Sequence, residues 1–158
     1  MTISSKHHHM QSREMLKFNY EEVAHTNITD VLASRPKAMN DGSLGCEMVV
    51  IRAGQFFIII SVNIDTDEIV VELAKNEDEF NGNLRIRELE EQLVDISTTI
   101  QIVGKKLGWA WEAKNYRGYE DCLLLALGDV VPDALSPALG FISGGSSISL
   151  FEISPVRV

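Results

Sequence analysis

Apolar and polar residues change rhythm three times along this chain. Before position 44 the pattern is weak. "NYEEVAH" (19–25) and "TNITDVLAS" (26–34) each begin with an N-cap asparagine, Asn19 or Asn27, with acids following in the first turn. Pro36 stops anything helical there, so one or two short N-terminal helices are expected. From Leu44 the period becomes two. "LGCEMVVIRAG", "QFFIIISVNI" and "DEIVVEL" are β-branched and aromatic runs separated by tight turns, which predicts a meander of antiparallel strands. Phe56–Val62 is apolar at every position except Ser61, so that strand should be covered on both faces. In Glu68–Leu73 the acids Glu68 and Glu72 oppose Ile69, Val71 and Leu73, which predicts one wet face.

The third rhythm is helical. Ile86, Leu89, Leu93, Ile96, Ile100, Val103 and Leu107 recur three and four apart. "DISTTIQIV" within that span is also β-branched and alternating. The spacing therefore predicts a helix over about 85–95 and leaves 98–103 as strand, preceded by a polar loop "KNEDEFNGN" with an Asn-Gly turn. "LGDVVPDALSPALGF" reads as a loop with two prolines, and Ser147–Ile153 as a closing strand. The fold class expected is α+β: an antiparallel twisted sheet of six or seven strands, the 85–95 helix packed on it, and short N-terminal helices. Residues 1–15 read as a flexible leader and 16–158 as a single domain.

"GWAWEAKNYRGYED" (108–121) is the richest stretch for chemistry. A type I turn on Tyr116-Arg117 with Gly118 left-handed sets Lys114 opposite Glu120, Glu112 opposite Cys122, Trp111 opposite Leu123 and Trp109 opposite Leu125. A one-residue slip would oppose Glu112 to Asp121 and lose the Lys114–Glu120 pair. The favoured register gathers Leu107, Trp109, Trp111, Leu123, Leu125 and Leu127 on one face, which predicts buried tryptophans. The tip keeps Asn115, Tyr116, Arg117, Tyr119 and Asp121, a composition typical of recognition surfaces and the candidate ligand-binding set.

Charge adds a second candidate. The chain carries −9, and residues 65–95 hold eleven acids against three bases, Lys75, Arg85 and Arg87. That field repels phosphate backbones, so nucleic acid is not an expected partner, and a basic protein is. Glu88, Glu90, Glu91, Asp65, Asp67 and Glu68 are the candidate partner-binding residues. No apolar run approaches the roughly 20 residues of a membrane span, and the N-terminus lacks the apolar region of a signal peptide. Cys46 and Cys122 sit among apolar neighbours, as reduced thiols of a cytoplasmic protein do.

Catalytic motifs are missing. There is no G-x-S-x-G, H-E-x-x-H, C-x-x-C or G-x-G-x-x-G, so no catalytic residue is assigned. "SGGSSIS" lacks the lysine of a phosphate-binding loop. "NIDTDEIVVE" lacks the glycine and distal glutamate of a calcium loop, and His7–His9 have no partner ligands at metal spacing. No metal and no cofactor are expected.

Finally, "GKKLGWAWEAKNYRGYEDCLLLALGD", "SSISLFEI" and the upstream "DTDEI" resemble a family of small bacterial domains of unknown function. The shared features are a Gly-Trp-x-Trp strand, an Asn-x-x-Gly-Tyr-x-Asp hairpin and a closing Ser-Ser-Ile strand. The resemblance implies a cytoplasmic, largely β domain and brings no activity. The functional expectation is a protein-interaction module, immunity- or inhibitor-like, acting through the acidic surface, with homo-oligomers compatible. The alternative is a small-ligand-binding protein or enzyme with its site at the 115–121 tip.

Overall fold

The computed structural model describes residues 14–87, 92–130 and 132–154. Its strands form two antiparallel sheets, not one. The first contains β1 (Ile28–Ser34), β4 (Met48–Ala53), β5 (Phe56–Asn63), β6 (Glu68–Ala74) and β7 (Leu93–Asp95), in the order β6-β5-β4-β1-β7. The second contains β2 (Lys37–Ala38), β3 (Leu44–Cys46), β8 (Leu107–Lys114), β9 (Glu120–Leu127), β10 (Pro137–Gly144) and β11 (Ser147–Glu152), ordered β2-β3-β11-β10-β9-β8. Among the described residues one α-helix, α1, spans Glu77–Arg87.

The second sheet arises because the alternating run "LGCEMVVIRAG" is two strands. Its chain leaves the six-stranded sheet at Cys46 and enters the five-stranded one at Met48. β1 and β2 make the reverse crossing at Arg35, whose φ is 49°. The two crossings share one corner, where Glu47 N–H donates to Ser34 O at 3.1 Å and Arg35 Nη1 lies 3.2 Å from Glu47 Oε1. Alternation cannot reveal such a corner, since it preserves the period on both sides.

Between the sheets lies the main core. Val31, Val49, Ile51, Ile58, Ile60 and Val71 meet Leu107, Leu123, Leu125, Phe141, Ile148 and Leu150 there. The opposite residues of β4 and β5, Met48, Val50, Phe57 and Ile59, form a smaller cluster with Phe80 and Leu84 of α1. β5 is thus covered on both faces, as its sequence predicts. The molecule is layered helix, sheet, sheet, with helix α1 against the outer face of the five-stranded sheet only.

The helix lies eight residues earlier than expected. "KNEDEFNGN" is its start, not a loop: Asn76 Oδ1 accepts Glu79 N–H at 2.9 Å, and Glu79 Oε2 accepts Lys75 N–H at 2.7 Å. Among its described side chains Phe80 and Leu84 anchor it, with the Phe80 ring stacked on Phe57 at 4.3 Å. Phe80, Leu84 and Ile86 are its apolar residues, too few in eleven for a helical stripe to show. The expected stripe continues past the helix into other structure. Leu93–Asp95 pairs with β1, and Ile96, Ile100 and Ile102 plug the core from turns, so 98–103 is not a strand.

Other expectations are corrected similarly. Of the N-terminal helices, Asn19 caps only a 3-10 turn, Tyr20–Glu22, and "TNITDVLAS" contributes strand β1. "SPALGF" is not loop, because β10 begins at Pro137. Met15, at the end of the expected leader, is buried, and Lys17 N–H donates to Val71 O at 2.9 Å.

Candidate functional site

At one end of the sandwich the β5–β6, β8–β9 and β10–β11 turns meet. Asp67 sits at φ 61°, and its carboxylate accepts Gly145 N–H at 3.2 Å and Ser146 N–H at 3.0 Å. Ser143 Oγ donates to Asp67 O at 2.6 Å. In the hairpin, Asn115 Oδ1 accepts Arg117 N–H at 2.8 Å and Tyr119 N–H at 3.3 Å, while Asn115 Nδ2 donates to Asp121 Oδ2 at 3.0 Å. A cleft of about 270 Å³ lies among Thr66, Asp67, Asn115, Tyr119, Asp121 and Ser143. The polar groups that would have to greet a ligand there are already paired with one another. Of the five tip candidates, Asn115 and Asp121 thus have internal employment, while Tyr116 (95% exposed), Arg117 and Tyr119 face water.

The acidic candidates divide likewise. Glu68 Oε2 accepts Glu120 N–H at 2.9 Å, and Asp67 holds the β10–β11 turn, so both serve the fold. Asp65 is exposed. Glu88, Glu90 and Glu91 lie outside the described residues. Below the hairpin, Glu120 faces Glu112 and Glu68, with Lys114 Nζ at 3.8 Å and a backbone hydrogen bond from Met15 in opposition. Burial, then the Glu112 charge, raises its carboxyl above the usual range. Glu112 is employed as well: its Oε1 accepts Leu16 N–H at 2.9 Å.

The hairpin register departs from expectation at one residue, and the consequence is large. Lys114 pairs with Glu120 as foreseen. A bulge at Asp121 then shifts the ladder, so Ala113 faces Cys122, Glu112 faces Leu123 and Trp111 faces Leu124. A second bulge between Leu107 and Ala110 restores Leu107–Leu127. The leucines of β9 still enter the core, but the tryptophans are turned outward. Trp109 is 57% exposed, Trp111 half-buried, and their rings lie 6.3 Å apart.

Those rings open onto the outer face of the six-stranded sheet. One cross-strand row runs Trp111, Leu124, Gly140, Phe151. The next runs Ala113, Cys122, Ile142, Ser149, Gly45, Lys37. Neither row carries a carboxylate, and Lys37, at the β2 end of the second, is the one charged side chain in them. Ile142 is 42% exposed, and Met39 lies over Gly45 with Sδ 3.0 Å from where a Cβ would stand. A shallow cavity of about 800 Å³ adjoins this face beside Ile142, Ser149 and Phe151. The 3-10 turn Asp133–Leu135 packs on it at the other end, over Gly108 and Ala126. Burial raises the Cys122 thiol, helped by the Asp121 charge, while Cys46 in the core is pushed up to about 12.

A family model described as "Family of unknown function (DUF6334)" matches residues 10–157. The chain belongs to that family. Neither a curated protein nor a solved structure matches it. In this DUF6334 member "DTDEI", one of the stretches behind the resemblance, accepts bonds from the other two: Glu68 from Glu120 N–H of the hairpin stretch and Asp67 from Ser146 N–H at the start of "SSISLFEI". Among the described residues no group of three or more His, Cys, Asp or Glu side chains could hold a metal, and no helix is long and apolar enough to cross a membrane. The sequence reading set Leu124 on the face opposite Leu123 and Leu125 and expected a helix to pack there; it missed Ile142 and Phe151, because the openness of that face follows from α1 covering the other sheet instead.

Proposed function

We propose that this protein is a protein-interaction module that binds through the outer face of its six-stranded sheet. The supporting observation is the carboxylate-free, aromatic character of that face in a chain of net charge −9. The five-stranded sheet buries its outer apolar face under α1; the six-stranded sheet leaves Trp109 and Ile142 exposed and Trp111, Leu124 and Phe151 half-buried. Exposed apolar surface of this kind is costly unless something covers it. Tryptophan and its aromatic neighbours are also the side chains that supply most energy at interfaces.

The acidic residues lie largely on the other sheet and its helix. Glu77, Asp78 and Glu79 open α1, on the far side of the sandwich from the tryptophans. In this reading they keep that side solvated and steer basic surroundings, while the carboxylate-free face makes the contact. The partner is a protein presenting an apolar face with no buried charge. Ile142→Lys should abolish recovery of the bound partner, whereas Asp78→Lys should leave it intact. Recovery that survives Ile142→Lys and fails with Asp78→Lys would move the contact to the acidic surface.

A further inference from the structure

We infer that the occupant of this face is a second copy of the same chain, packed sheet against sheet; the inference rests on the interaction-module reading above. Three features support it. Two copies of net charge −9 repel over most of their surface, and the carboxylate-free rows through Trp111 and Ile142 are where they can touch without juxtaposing acids. An apolar face is complementary to itself about a two-fold axis, and Lys37 sits at the rim of the row where water can keep it solvated.

Size is the second feature. Strands β8 to β11, spaced about 4.8 Å apart and each giving about six residues at about 3.3 Å, span roughly 20 by 20 Å, and the three-residue β3 widens the face at one end. With side-chain relief this is more than half of the ~800 Å² that each partner contributes to a standard interface, in the range of a reversible dimer. Aligned sheets would then stack about 10 Å apart.

Third, the strand edges are poor routes to self-association. β8 is one edge of the six-stranded sheet, but it bulges between Leu107 and Ala110, and Glu112 on it turns toward Leu16. The opposite edge, β2, has two residues, β7 at one edge of the five-stranded sheet has three, and β6 at the other is bridged at Val71 by Met15 and Lys17. Bulges, inward charges and very short edge strands disfavour strand-to-strand pairing. Cys122 adjoins Ile142, the middle member of the Ala113–Gly45 stretch. A two-fold axis beside Ile142 brings Cys122 close to the partner copy's Cys122.

Sedimentation velocity of the full chain tests this, with Ile142→Lys as the contact variant and circular dichroism to show that it folds. The expected result is a dimer at micromolar concentration, converted to monomer by Ile142→Lys. Raising salt should tighten the dimer by screening repulsion between its acidic bodies. A short bis-maleimide should link wild-type chains, and Cys122→Ser should abolish the product while Cys46→Ser does not. A wild-type chain that stays monomeric at about 100 µM overturns the second-copy inference. If in that case Ile142→Lys still abolishes recovery of a different partner, the interaction-module reading survives alone. If it does not, both fail. A dimer that weakens with salt or ignores Ile142→Lys also overturns the inference, since its contact would be elsewhere.

Discussion

The Phe151 ring lies flat across Gly140: a Cβ built on that glycine would stand 2.3 Å from Phe151 Cζ. The two are cross-strand neighbours in the β10–β11 ladder, on the outer face. A glycine inside a strand ordinarily weakens it, and here the aromatic ring fills the gap the missing side chain leaves. Gly140→Ala is expected to lift Phe151 off the sheet and cost about 1–3 kcal/mol. In a Phe151→Ala background the same change should be nearly neutral. A double-mutant cycle by urea denaturation measures the coupling, and additive effects would show that the ring does not rest on Gly140.

The outward tryptophans have a spectroscopic signature. Trp109, more exposed than Trp111, should dominate the long-wavelength side of the emission and be readily quenched by acrylamide. Trp109→Phe is therefore expected to shift the remaining emission to the blue and reduce its quenching. The buried-tryptophan register expected from the charge pairs would give blue emission and poor quenching in both proteins.

The turn end depends on side chains acting as backbone acceptors. Asp67→Ala loses the bonds to Gly145 N–H and Ser146 N–H and places a Cβ-only residue at φ 61°, for a cost of about 2 kcal/mol. Asp67→Asn tolerates that φ and keeps an acceptor, so its cost should be under half as large. Asn115→Ala should cost about 1 kcal/mol, because the exposed N–H groups of the tip turn to water instead. Thermal denaturation of the three variants orders them, and equal losses for Asp67→Ala and Asp67→Asn would remove the argument from φ.

Glu120 gives a pH dependence of defined sign. Its folded carboxyl is raised, by burial first and by Glu112 second, so folding takes up protons as this group titrates. The stabilising contribution is fully present below the unfolded carboxyl pKa and is lost as pH rises through the raised folded value. Glu120→Gln, which cannot ionise, is expected to hold its stability where the wild type declines over that window. The Lys114 partner, at 3.8 Å and largely exposed, adds little to the balance. Identical pH profiles for the two proteins would show that Glu120 is not held against its neighbours.

How much of this was legible in the residues varies with the physics of each part. Strands β5, β6 and β11 announce themselves through run length, alternation and flanking turns. Their pairing is local, and the register of Lys114 with Glu120 follows from opposite charge. Helix α1 was hidden, since capping by Asn76 and Glu79 sets it and, among its described side chains, Phe80 and Leu84 anchor it. The corner at Arg35 and Glu47 was hidden for another reason: a chain can change sheets without changing its alternation. Most consequential is the bulge at Asp121. One unpaired residue reverses the faces of Ala110 to Ala113 until the second bulge restores Leu107, so the tryptophans moved from expected core to the outer face. The tip residues Asn115 and Asp121 and the acids Asp67 and Glu68 were named as two separate candidate sets, for a ligand and for a partner, and the structure brings the first and Asp67 to one cleft. Their partners, in turns remote in sequence, were not foreseeable from spacing.

The central claim is that the outer face of the six-stranded sheet is where this protein meets its partner. A photo-cross-linking amino acid placed at Ile142, in the row with Cys122 and Ser149, tests it most directly when set against the same group at Asp78 on α1. The account predicts a covalent protein adduct from position 142 and none from position 78. Adducts from position 78 with none from position 142 would contradict it.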